Sequence, residues 1–177
     1  MPDHAAFLKG MNLGRRRLTN DELRSAVEAL GFEEVETFRA SGNVGFRAGR
    51  RSDSALQRAL EEGLRERLGY EVPTFIRSGA ELRAIAAADP FGAREGAGKL
   101  QVALLHEEPD EKARDSVLAL AEDDERLAFG ERELYWLPAG RISDSTLDFK
   151  RIAELAGATT VRTMGTIEQI VARWFAD

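Results

Sequence analysis

Cysteine is absent from the 177 residues, and histidine occurs only as His4 and His106. Without thiols there is no thiol nucleophile, disulfide or thiolate metal site. Two histidines cannot build a multi-histidine metal centre, so neither a metal nor a cofactor is expected. Aromatic residues make up only 7% of the chain, which disfavours a surface built on base stacking. The longest apolar run, Ala84 to Ala88, falls far short of the roughly 20 residues that span a bilayer. The opening MPDHAAFLKG is not followed by the apolar run of a signal peptide. These absences point to a cytoplasmic protein without membrane contact.

What is present describes a folded chain. Apolar residues reach 43% before the 16 glycines are counted, enough to exclude disorder. Lys and Arg number 25 against 31 Asp and Glu, a net charge of −6. That charge is uneven. Residues 1–78 carry 13 basic and 12 acidic side chains, whereas residues 79–177 carry 12 and 19. Acidity concentrates in Glu107–Glu111 and Glu122–Glu125, at the two ends of one expected helix. Both runs read as solvated surface, since neither has the alternating oxygens and central Gly of a calcium loop.

Patterning gives an order of elements. AAFLK (5–9) reads as a strand, and Thr19-Asn-Asp-Glu22 has capping-box spacing. Leu23, Ala26, Val27 and Leu30 then recur at helical spacing until Gly31. Residues 32–38 and 44–46 read as strands around the turn Ala40-Ser-Gly-Asn43. A helix from about Asp53 carries Leu56, Leu60, Leu64 and Leu68, and a strand at 70–76 contains Pro73, which marks an edge or a bulge. This β-α-β-β-α-β order is the ferredoxin-like split unit. A second capping box, Ser78-Gly-Ala-Glu81, opens a short helix that Pro90 ends. The second half reads β-α-β-β-α-α: a strand at 100–105, a helix capped by Asp110, a hairpin over 127–137, a helix with Ile152 and Leu155, and a last helix after Thr166. The expected fold class is α+β, two ferredoxin-like halves (1–78 and 79–177) related by structural duplication without a detectable sequence repeat. The two halves can also pack as one compact domain.

Catalytic signatures are missing. There is no G-x-S-x-G elbow and no H-E-x-x-H, and His106 reads as a strand-end residue rather than a general base. Gly92–Leu100 imitates a phosphate loop, but the glycine spacing is one residue too long. Leu100 also stands where Ser or Thr should be, and a strand follows instead of a helix. The best candidate is the turn Lys9-Gly-Met-Asn12-Leu-Gly-Arg15-Arg-Arg17 after the first strand. Glycines let backbone N–H groups approach a ligand, and arginines supply forked donors for phosphate or carboxylate. In a split β-α-β unit this turn and the strand 2–3 turn lie at the same sheet end, so Arg39, Ser41 and Asn43 belong near Asn12 and Arg15. Against this stands the skew of 21 Arg to 4 Lys throughout the chain, which lowers the weight of any local Arg cluster. Phe7 and Phe46 occupy strands where RNA-recognition modules stack bases, but core packing suits them better. Trp136 and Trp174 likewise read as core anchors.

The segments Lys9-Gly-Met-Asn-Leu-Gly14 and Ser41-Gly-Asn-Val-Gly-Phe46 resemble the R-G-I-N-V-G and S-G-N-V-x-F motifs of the domain of unknown function 1697 family. Glu71-Val-Pro73, Ala88-Asp-Pro-Phe91 and Leu134-Tyr-Trp-Leu-Pro138 follow in that family's order. The resemblance implies a bacterial-type α+β protein of two ferredoxin-like halves, and no known reaction. Departures cluster late. Thr146 stands where the family has Lys in G-R-S-K-L, and Thr163-Met164 replace Asn-Trp in T-x-R-N-W-x-T-V, while Arg162 and Thr166 remain. Met for Trp is a tolerable core exchange, and Thr166 reads as a helix cap.

The expected function is binding of an anionic small molecule through Asn12, Arg15, Ser41 and Asn43, with Arg141 and Arg162 as further candidates. A nucleic-acid module is the alternative, disfavoured by the net charge. A third reading is an interaction protein whose strand edges pair between chains. No residue pair marks the chain as an enzyme.

Overall fold

The computed structural model describes residues 1–92, 99–122 and 124–176. The phosphate-loop mimic at 92–100 therefore lies mostly outside the described residues, as does Asp123 of the second acidic run. The chain divides into two compact units, Met1–Arg83 with Gln169–Asp177, and Ala84–Glu168. Among the described residues each unit contains one four-stranded antiparallel sheet, and six α-helices complete an α+β architecture.

The first unit is built from β1 (His4–Leu8), α1 (Asn20–Ala29), β2 (Glu33–Phe38), β3 (Asn43–Arg47), α2 (Asp53–Leu68) and β4 (Thr74–Ser78); α3 (Gly79–Ala87) follows, and its residues up to Arg83 belong to this unit. Its strands lie in the order β2-β3-β1-β4. Thr19 and Glu22 form the reciprocal capping box at α1, and Ser78 with Glu81 forms the second at α3. Each satisfies donors that the first helical turn leaves without partners. Leu23, Ala26 and Val27 of α1 and Leu56, Leu60 and Leu64 of α2 pack on Ala6, Leu8, Val44, Phe46 and Ile76 of the sheet. β4 is an edge strand, as Pro73 implied, but it begins at Thr74, one residue beyond the proline. Phe7 and Phe46 are fully buried, so neither presents a face to a base.

His4 opens β1, its Nδ1 lies 2.9 Å from Asp3 Oδ1, and its ring stacks near Phe46. Asp3 Oδ1 also accepts the Ala48 N–H at 2.7 Å. Partial burial raises the Asp3 carboxyl, but the Ala48 N–H and then His4 outweigh it and hold the group below the usual carboxylate range. The folded state thus binds fewer protons than the unfolded chain just below about pH 4. That stability is present above the ordinary carboxylate value and lost as pH falls through the lowered one. In Asp3→Asn, urea midpoints measured between about pH 2 and 4 should fall less steeply than in the parent. An unchanged slope would exclude Asp3 from the acid response.

The second unit contains β5 (Gln101–Leu105), α4 (Glu111–Leu118), β6 (Arg126–Phe129), β7 (Glu133–Leu137), a 3-10 turn (Ile142–Asp144), α5 (Phe149–Ala156) and β8 (Thr159–Thr163), with the order β6-β7-β5-β8. Ala103, Val117, Leu134 and Ile152 form its core. Trp136 packs against Phe149 and donates its indole N–H to Glu125, so one residue of the second acidic run is structural.

β8 corrects the expected β-α-β-β-α-α order. Its five residues, Thr-Thr-Val-Arg-Thr, hold one aliphatic side chain and give no apolar alternation. Pairing with β5 from Gln101↔Thr163 to Leu105↔Thr159 makes it a strand. The last helix, α6 (Met164–Trp174), accordingly starts three residues earlier than expected. Its cap is Thr163, whose Oγ1 accepts the Thr166 N–H at 3.1 Å, rather than Thr166. Gln169–Trp174 of this helix belong to the first unit. Among the described residues no helix is long and apolar enough to cross a membrane.

Candidate functional site

The loop after β1 and the β2–β3 turn meet at one end of the first sheet. Leu8 N–H donates to Gly42 O at 2.8 Å, and Asn12 Nδ2 donates to Ala40 O at 3.2 Å. Asn12 also closes its own loop, with Oδ1 accepting Leu18 N–H at 2.7 Å and Nδ2 reaching Leu18 O at 3.4 Å. Asn43 is fully buried, and its Nδ2 donates to Phe38 O at 2.9 Å and to Ser41 Oγ at 2.8 Å. These amides build the turns, which leaves charge recognition to the arginines.

Arg15, Arg16, Arg17 and Arg39 are all exposed. The Arg16 guanidinium lies 4.1 Å from the centre of the Tyr70 ring, and the Tyr70 hydroxyl donates to Met11 O at 3.2 Å. Arg17 folds back, donating to the carbonyls of Gly14 and Arg16. Arg39 stands over Phe38 and donates to Gln169 Oε1 at 2.7 Å. Its backbone is left-handed at φ 58°, a conformation that costs a non-glycine residue about 1 kcal/mol. Among the described residues none of these four guanidiniums meets a carboxylate.

The other two candidates belong to the second unit. Arg141 is exposed and paired with Asp144 at 3.0 Å. Arg162 lies in β8, where its Nη1 donates to Thr160 Oγ1 at 2.8 Å and Val161 O at 2.9 Å. Burial pushes its guanidinium down to about 10. On β7, burial raises the Tyr135 hydroxyl, and the neighbouring Glu133 carboxylate raises it further. Glu133 is itself held by the N–H groups of Glu131 and Arg132.

Two partners of the arginines had no sequence signal. Tyr70 is 59 residues from Met11 and Gln169 is 130 residues from Arg39, so no local pattern joins them. A cleft of about 460 Å³ at the start of β1, between Pro2, Asp3, Arg83 and Trp174, was likewise not anticipated. Because the Asn12 loop follows the end of β1, the cleft and the loop sit at opposite ends of that strand. Among the described residues no cluster of three or more His, Asp or Glu is placed to hold a metal ion.

An antiparallel sheet backed by two helices, with a polar loop and turn joined at one end, defines an α+β protein. The chain belongs to a family of proteins of unknown function, DUF1697, whose model matches residues 1–135. The departures at Thr146 and at Thr163-Met164 fall beyond that match. Over 98% of its length the chain is similar to a conserved bacterial protein, SP0830, of Streptococcus pneumoniae. The two are 22% identical with a TM-score of 0.74, and the comparison covers 99% of the streptococcal chain. This likeness shows the fold alone. No curated protein matches the chain.

Proposed function

We propose that the chain binds an anionic small molecule, phosphorylated or carboxylated, where the Gly10–Leu18 loop meets the Ala40–Asn43 turn. The observation that carries this reading is the Asn12–Ala40 hydrogen bond. It joins two loops whose exposed arginines meet no carboxylate among the described residues, although the chain carries 31 Asp and Glu. An anion there supplies the missing counter-charge through forked, charge-assisted hydrogen bonds. Asn12, Ser41 and Asn43 shape the two loops, and Arg15 with its neighbours neutralises the ligand. The reading rests on the first unit alone, and Arg141 and Arg162 add nothing that carries it.

A thermal-shift titration with inorganic phosphate and with citrate tests it. At about ten times the dissociation constant, binding should stabilise the chain by about 1.4 kcal/mol, a rise of about 3–6 °C. The exposed-site double variant Arg15→Ala/Arg39→Ala should melt as the parent does without ligand and lose most of that rise. No shift at millimolar ligand, or an equal shift in the double variant, would sink the reading.

A duplication accompanies this proposal: the halves 1–78 and 79–177 read as two ferredoxin-like units. Both sheets share one strand order. Their fourth strands agree in detail, since Arg77 pairs with Ala5 as Arg162 pairs with Val102. Each arginine is buried and donates through Nη1 to the preceding carbonyl, and each is followed by the Ser or Thr that caps the next helix. The matched Arg and the matched Ser or Thr support reading the two halves as a repeat, which the sequence alone did not reveal.

A further inference from the structure

We propose that the cleft at the start of β1 binds a small carboxylic acid with an apolar body, at the opposite end of the strand from the Asn12 loop. Every residue that lines the cleft belongs to the first unit, and its volume of about 460 Å³ falls in the range of small-molecule pockets. Three segments converge on it: the chain entering β1, the first turn of α3 and the end of α6. Contacts that need no ligand hold its walls in place. The Gly79 N–H donates to Asp3 O at 3.0 Å and ties α3 to the start of β1. A Cβ on Gly79 would stand 2.6 Å from the Phe175 ring, so glycine there lets α3 press against the residue that follows α6. Pro2 and Trp174 both pack over Gly45, at 3.2 and 2.9 Å from a built Cβ. A ligand entering walls already fixed in this way loses little of its binding to ordering them.

The lining sets the ligand's chemistry. Pro2, Trp174 and Phe175 make it apolar, and the indole N–H of Trp174 is engaged by Glu36. Ser78 Oγ donates to Glu81 Oε2 and accepts the Glu81 N–H. The Asp3 carboxylate is bonded to His4 and to the Ala48 N–H, neither of which lines the cleft. Arg83 differs from these groups. It is exposed, its Nη1 donates to Phe175 O at 3.0 Å, and among the described residues its guanidinium meets no carboxylate. The bond to a main-chain carbonyl orients the guanidinium and leaves its Nε–Nη2 edge for a ligand. That edge presents two parallel N–H groups, which a planar carboxylate matches with two hydrogen bonds. A single fork beside apolar walls selects a monoanion that carries hydrocarbon. A phosphate dianion would shed hydration that these walls cannot replace.

Isothermal titration calorimetry with hexanoate, 1-hexanol, hexylamine and acetate tests the proposal. Hexanoate should bind at least about tenfold more tightly than hexanol or hexylamine, which lack the carboxylate, and than acetate, which lacks the apolar body. An excess of phosphate at constant ionic strength should leave hexanoate affinity within about twofold, since the cleft and the Asn12 loop are separate. Arg83→Gln retains a donor for Phe175 O and removes the charge, so hexanoate should weaken about tenfold and fall level with hexanol. Ala80 is an exposed lining residue, and Ala80→Phe should fill the cleft and abolish hexanoate binding in a chain that melts as the parent does. This second variant decides the matter if Arg83→Gln fails to fold. Absence of hexanoate binding, or equal affinity for hexanoate and hexanol, would overturn the proposal. So would displacement of hexanoate by phosphate, or an affinity untouched by Ala80→Phe.

Discussion

Replacing Trp174 with alanine should cost about 3–5 kcal/mol, the range for emptying a buried large aromatic site. The ring is 1% exposed, and it meets Phe38 and Phe175 edge-on at 6.3 Å between centroids. Its indole N–H donates to Glu36 Oε2 at 3.0 Å. The first sheet is shaped to receive it. A Cβ on Gly45 would stand 2.9 Å from the ring, so glycine at that position of β3 is what lets the helix approach. Trp174→Phe should separate the contributions, retaining most of the packing while losing a hydrogen bond worth about 1 kcal/mol. Urea denaturation of the two variants measures both. A loss below about 1 kcal/mol for the alanine variant would mean that the end of α6 does not hold to the first sheet in solution.

The same helix shows where sequence reasoning stopped. Its apolar positions, Ile167, Ile170, Trp174 and Phe175, repeat at helical spacing, so the helix and its buried face were legible. Its docking was not, because Trp174 and Glu36 are 138 residues apart and nothing local joins them. The capping boxes at Thr19 and Ser78 were legible for the opposite reason, since all of their partners lie within three residues. β8 escaped because its cohesion comes from backbone pairing to β5 rather than from an apolar pattern. In the candidate site, topology placed Asn12 beside the β2–β3 turn correctly. Its job was not readable, because an asparagine that orients a ligand and one that closes a loop look alike until their hydrogen bonds are seen. What the exposed arginines stack on was equally hidden, being a matter of tertiary contact.

Gly42→Ala is the second substitution with a large expected effect, and it gives the Ser41-Gly-Asn-Val motif a physical meaning. The residue sits at φ 76°, in the left-handed region, and its carbonyl accepts Leu8 N–H at 2.8 Å. A Cβ there would lie 3.0 Å from Leu8 Cβ and 3.2 Å from Leu8 O. Both atoms are fixed by the central strand and cannot swing away as a side-chain tip would. Alanine must therefore bear the left-handed strain of about 1 kcal/mol and a further 1–3 kcal/mol of overpacking. Gly49 is the matched control, with φ 68° and nothing within 4 Å of a built Cβ. Gly49→Ala should show the strain alone, about 1 kcal/mol. The difference between the two urea midpoints then measures the close approach of the turn to β1. Gly42→Ala should also weaken phosphate binding, because it pushes the β2–β3 turn away from the loop that Asn12 ties to it. If the two alanines cost the same and phosphate binding survives in both, the turn and the loop are not held together as the hydrogen bonds imply, and the arginines they carry are independent surface charges.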